Sequence, residues 1–100
     1  MLIHTVYFWL DPALDSNTVT EFEKGLETLT KIASVRHGYW GRPAATDRPV
    51  IDRTYSHGLA VIFDDMAGHD AYQIDADHKA FLARFTSKWI KVAIYDTVTA

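Results

Sequence analysis

The chain opens on Leu2-Ile3-His4-Thr5-Val6-Tyr7-Phe8-Trp9-Leu10, nine residues with no acidic or basic side chain other than His4. It alternates with a period of two, so that Leu2, His4, Val6, Phe8 and Leu10 face one way and Ile3, Thr5, Tyr7 and Trp9 the other. This is a strand, and neither face is polar enough to be left to water. A sheet built on it needs a cover on both sides. The chain supplies one cover directly after Asp11-Pro12, where Val19, Phe22, Leu26, Leu29 and Ala33 recur three and four residues apart with Glu21, Glu23, Lys24 and Glu27 between them. That spacing predicts an amphipathic helix. Thr18 and Glu21 have the spacing of a capping box, with Ser16 or Asn17 as alternative caps, and Gly25 inside the helix costs about 1 kcal/mol relative to Ala.

Val35 to Arg42 reads as a second strand, followed by a loop containing Pro43, Asp47, Arg48, Pro49 and Asp52. Thr54 to Phe63 alternates again, with His57, Leu59, Val61 and Phe63 on one side and Ser56, Gly58, Ala60 and Ile62 on the other. Helical patterning then comes in two pieces, Met66 to about Ile74 and about Asp77 to Lys88. The second carries the stripe His78, Phe81, Leu82, Phe85 and Trp89, and a last strand from Ile90 to Val98 sets Ile90, Val92 and Ile94 on one side. The order strand, helix, strand, strand, helix, strand predicts an α+β, ferredoxin-like βαββαβ domain over residues 1–100, an antiparallel sheet with its helices on one face. The other face would carry Ile3, Tyr7, Trp9, Trp40, Ile62 and Tyr95. A patch of that kind predicts an interface, so the expected partner is a second copy of the chain, packed sheet to sheet.

Composition narrows the function. Ten basic against thirteen acidic residues leave a net charge of −3, which offers no footprint for nucleic acid. The absence of cysteine removes disulfide scaffolds, thiolate zinc sites and thiol nucleophiles. No uncharged apolar stretch reaches the ~18 residues of a membrane span, and Met1 to Thr5 does not start like a signal peptide, so a cytoplasmic protein without a membrane partner is expected.

There is no glycine-rich phosphate loop, nucleophile elbow or His-Glu-x-x-His pair. The informative residues are histidines. His4 and His57 sit on apolar faces of strands that neighbour each other in this topology, so their rings are expected to lie close together, and His78 belongs to the helix covering that face. Tyr72 lies six residues before His78, roughly 240° away on a straight helix. The two converge only if the helix breaks between them, which Asp75 or Asp77 allows as an N-cap. Imidazoles and a phenol in a small apolar cavity suit proton abstraction beside a carbonyl, the histidine taking the proton and Tyr72 stabilising the enolate oxygen. The plainer alternative is that strand histidines are hydrogen-bonded core residues and that the aromatic stripe is simply core. His37 and His69 read as surface histidines. A metal site from His4, His57 and His78 with Asp75 lacks local ligand spacing, so neither metal nor cofactor is expected.

The opening His4-Thr5-Val6-Tyr7-Phe8, the Tyr39-Trp40-Gly41 strand end, Tyr55-Ser56-His57 before Val61-Ile62-Phe63, and Tyr72 leading to His78-Lys79-Ala80-Phe81 together resemble the stress-responsive A/B-barrel (Dabb) family of the dimeric α/β-barrel superfamily. The resemblance spans nearly the whole chain. It implies a ferredoxin-like protomer paired into a barrel and, by likeness to the family's plant polyketide cyclases of the olivetolic acid cyclase type, an intramolecular aldol condensation without a cofactor. Tyr72 and His78 match that reaction's two catalytic positions; His4, His57, Leu59, Phe81, Trp89 and Phe22 would bind a carbonyl-containing or aromatic ligand. The family commonly reads Tyr-x-x-His-Pro-x-His, whereas here Asp75-Ala76 replaces the first His-Pro, introducing a carboxylate able to orient His78 or raise its pKa. Two other readings compete: a non-enzymatic stress-responsive dimer with structural histidines, and a cofactor-independent oxygenase or isomerase.

Overall fold

The alternation at the N-terminus places β1 (Leu2–Leu10) inside a four-stranded antiparallel sheet. Its neighbours are β3 (His57–Phe63) on one side and β4 (Trp89–Val98) on the other, and β2 (His37–Gly41) closes the far edge in the order β2-β3-β1-β4. A computed structural model describes residues 1–100, with helices α1 (Ser16–Thr30), α2 (Met66–Ile74) and α3 (Ala76–Phe85) and a single 3-10 turn at Thr86–Lys88. Leu2, Val6, Phe8, Leu59, Val61 and Phe63 of the inner face are buried against Phe22, Leu26 and Leu29 of α1 and Phe81 and Phe85 of α3. The α+β ferredoxin-like architecture therefore follows the predicted order.

Several local expectations are corrected by the geometry. The cap of α1 is Asp15, whose carboxylate accepts the Thr18 N–H at 2.8 Å, so neither Thr18, Ser16 nor Asn17 caps the helix. A carboxylate one residue outside the helix satisfies an orphan donor and faces the positive end of the dipole. The helix stops at Thr30, and Ile32 beyond it, rather than Ala33, is buried. Trp40 does not belong to the outer face. It stands opposite Leu59, a core residue, and residues directly opposite in a ladder share a face; its indole N–H donates to Glu27 at 2.8 Å, while Tyr39 takes the outward position.

At the start of β4 the pairing shifts from Trp9 opposite Lys91 to Leu10 opposite Trp89. Ile90 is the extra residue of this bulge and is 69% exposed, whereas Trp89 turns inward onto Phe8 with ring centroids 5.1 Å apart. Trp89 thus comes from the strand and not from the helix that its spacing suggested. On the outer face Tyr7 packs edge-on against Tyr55 at 5.0 Å and Tyr95 at 6.3 Å, and Lys91 lies over the Trp9 ring.

Gly25, unfavourable by propensity, is explained by the approach of α1 to α3. A Cβ there would sit 2.9 Å from Phe85 and 3.0 Å from Phe81. Gly25→Ala would gain about 1 kcal/mol of helix propensity but force two core rings to move, a change that costs about 1–3 kcal/mol. Gly25→Ala is therefore expected to unfold at lower urea concentration than wild type, and an increase in the midpoint would show that the rings relax freely.

Candidate active site

Asp75 ends α2 and starts α3. Its extended backbone (φ −62°, ψ 141°) interrupts the helical path, and its carboxylate accepts the Asp77 N–H at 2.8 Å as the N-cap of α3. The break sets Tyr72, in the last turn of α2, against His78, in the first turn of α3, with ring centroids 4.6 Å apart. On one unbroken helix these rings would point to different sides.

Both residues line a cavity of about 220 Å³ between the sheet and the helices. His4, Leu59, Phe81 and Trp89 line it too, and Val6, Phe8, Val92 and Ile94 make its floor from β1 and β4. Burial alone pushes the Tyr72 phenol well above its ordinary range, so it stays protonated and serves as a donor. Burial also holds His78 below the ordinary imidazole value. The Gln73 backbone and the Asp75 carboxylate pull it upward, but desolvation, with His4 and His69 nearby, outweighs them. Asp75 therefore does not make His78 more basic than usual. Its Nδ1 is buried without a hydrogen-bond partner, a state that costs about 1–3 kcal/mol and gives the residue little value as a stabilising core group.

His57 and Phe22 lie apart from this cavity. In the observed register His57 stands opposite Phe8 and His4 opposite Val61, four residues farther along β1, or about 13 Å at the rise of a strand. The two histidines occupy neighbouring strands but not neighbouring places, so the close approach expected of their rings does not occur. His57 is held in the core, donating to Glu23 at 2.7 Å and lying 3.0 Å from the Ser56 hydroxyl. Burial raises the Glu23 pKa, but hydrogen bonds from His57 and Arg42 outweigh it and hold the carboxyl below its usual range. Phe22 fills the space between Phe8 and Phe81 as core.

Two residues at the site escaped the sequence reading. His69 is not a free surface histidine: its ring lies 5.5 Å from His4 and 5.9 Å from Phe63. Its position three residues before Tyr72 on one helix was the available signal. Asp96 stands directly opposite His4 and accepts from its Nδ1 at 2.5 Å. An acidic residue in the inward-facing series Val92, Ile94, Asp96, Val98 breaks the apolar alternation, and that break was legible.

The chain matches the stress responsive A/B barrel domain family over residues 2–99. It belongs to the Dabb family. No curated protein matches it in sequence. Among solved structures, a Dabb family protein with a ferredoxin-like fold from Mesorhizobium loti is 30% identical, with a TM-score of 0.80 over 99% of this chain and 96% of that one. A dimeric ferredoxin-like protein of unknown function from Thermobifida fusca is 19% identical (TM-score 0.79, 98% and 90% covered). Hydroxynitrile lyase from Passiflora edulis is 17% identical (TM-score 0.80, 99% and 93% covered). The last two share the fold with this Dabb chain.

The depressed pKa of His78 gives a stability prediction. The unfolded chain binds the imidazole proton first, so the contribution is complete above the ordinary value of 6.5 and drains away as pH falls through the lower folded-state value. The urea midpoint of wild type should fall between about pH 7 and pH 5.5, before the carboxylates titrate, and His78→Leu should flatten that fall. An unchanged slope in His78→Leu would show that His78 is not buried neutral.

Proposed function

We propose that this Dabb chain is a cofactor-free, polyketide cyclase-like lyase that performs acid–base chemistry on a small carbonyl compound, with His78 as base and Tyr72 as hydrogen-bond donor. The observation that carries the reading is the pairing of a neutral imidazole with a permanently protonated phenol, 4.6 Å apart in one apolar cavity. Their environments divide the roles: burial keeps His78 free to accept a proton and Tyr72 unable to lose one.

On a linear poly-β-ketone, His78 would take a proton from a carbon flanked by two carbonyls. The resulting carbanion attacks a second carbonyl of the same chain, Tyr72 donates to the oxygen that gains charge, and the protonated imidazole returns its proton to that oxygen. His4, Leu59, Phe81 and Trp89 would hold the chain folded, and the dry walls strengthen each hydrogen bond. A cavity of about 220 Å³, smaller than the ~300–1,000 Å³ of drug-sized sites, suits a single ring, and the exposed lining residues Leu82, Val92 and Ile94 leave it open to solvent on one side. The hydroxynitrile lyase fold neighbour supports chemistry at a carbonyl carbon as the wider class. His57 and Phe22 have no part in it; they hold the protein together.

The working form we propose is a homodimer through the outer sheet face, where Tyr7, Tyr55, Tyr95 and Trp9 form a continuous aromatic surface. The dimeric Thermobifida fusca neighbour supports it. Tyr7→Asp places a charge at the centre of that surface, and sedimentation should show a monomer, where wild type sediments as a dimer at micromolar concentration; a monomeric wild type would contradict the assembly.

Activity is tested by supplying linear tri- and tetra-β-keto acids and following ring closure by mass spectrometry. Tyr72→Phe should lower kcat about 100-fold or more while stability stays the same or rises, because no hydrogen bond is lost with the hydroxyl. The acid limb of kcat/KM should inflect below pH 6.5, where His78 becomes protonated. Equal turnover by wild type and Tyr72→Phe would remove the phenol from the reaction.

A further inference from the structure

We infer that His4, His69 and Asp96 form a binding site for a divalent transition-metal ion of the zinc and cobalt class. Their ligand atoms lie within 4.8 Å of one another and come from β1, α2 and β4. His4 also lines the cavity of His78 and Tyr72, so the two sites adjoin, but neither His78 nor Tyr72 supplies a ligand.

Two of the three ligands are fixed by the sheet. His4 and Asp96 are directly opposite in the β1–β4 ladder, and His4 is 3% exposed. Their ligand atoms are hydrogen-bonded to each other at 2.5 Å, so both are aimed at the same place beside the sheet. Around a tetrahedral ion held at about 2.0–2.2 Å by each ligand, neighbouring ligand atoms stand roughly 3.4 Å apart. The pair must open by about 1 Å to admit it, a movement within reach of rotation of the half-exposed Asp96 side chain. The third ligand, His69, already packs against His4, and the hydrogen bonds of its ring are long, 3.2 Å to Asp70 and 3.4 Å to Gln73, so little hydrogen bonding is lost when a ring nitrogen turns toward His4.

The donor set selects the ion. Two imidazoles and one carboxylate suit borderline cations and are poor ligands for calcium or magnesium, which prefer oxygen, and there is no thiolate to draw softer ions. Phe63 and Tyr72 wall the cluster on the core side, and the Asp96 side chain, 43% exposed, leaves a path from solvent. Three protein ligands leave a fourth coordination position, which water fills.

The test is titration of metal-free full-length protein with Co²⁺, read by the visible absorption of the bound ion, and with Zn²⁺ by calorimetry. One ion per protomer is expected. His69→Ala, its fold checked by circular dichroism, should weaken binding roughly 100-fold, and Asp96→Asn, at a half-exposed side chain, should do likewise. His37→Ala and Tyr72→Phe should leave the affinity unchanged. No uptake by wild type, or uptake that His69→Ala leaves intact, overturns the site. Because the readout is metal affinity, loss of cyclase activity in Tyr72→Phe neither supports nor damages it.

Discussion

The capped break at Asp75 is the constraint on which the site depends. Six residues of continuous helix would carry Tyr72 and His78 to different sides, and the cavity between helices and sheet would hold at most one of them. One carboxylate, accepting the Asp77 N–H, ends one helix and begins another, and both rings then face β1. The pattern Tyr-x-x-His-Pro-x-His has a histidine and a proline at this point. Here an aspartate performs the interruption by capping, where proline would fix φ.

The sheet then sets what surrounds the pair. Because His4 sits near one end of β1 and His57 opposite the other, the four-residue offset divides the buried histidines into two jobs. His57 closes a network with Glu23 and Arg42 at the edge of the core. His4 enters the cavity with Asp96 behind it. A polar residue on an apolar strand face is thus no single signal: one such histidine is satisfied locally as structure, and the other lies in the cavity with His78, whose Nδ1 has no partner, and the Tyr72 phenol.

Much of this was readable from the sequence because it rests on periodicity. The alternation of β1 and β3, the stripe of α1 and the two-piece helix fix the architecture and bring Tyr72 and His78 to one face. Where reading failed, the missing quantity was long-range. The β1–β3 register that separates His4 from His57 is not encoded in either strand alone. The bulge at Ile90 that turns Trp89 inward depends on the partner strand. Gly25 looked like a flaw in α1 until the rings of α3 were seen to occupy the space its side chain would need. His69 and Asp96 were overlooked for a different reason: each carries an ordinary surface residue type, and only the pairing of β4 with β1 and the roll of α2 bring them to His4.

The account is tested most directly by nuclear magnetic resonance of the His78 ring through a pH titration, repeated with pentane-2,4-dione as a small diketone probe. Desolvation of His78 beside Tyr72 predicts a titration midpoint below the ordinary 6.5 and simultaneous shifts of the His78 and Tyr72 ring signals when the diketone is added. A midpoint at or above that value, with the Tyr72 signals unmoved by the diketone, would contradict it.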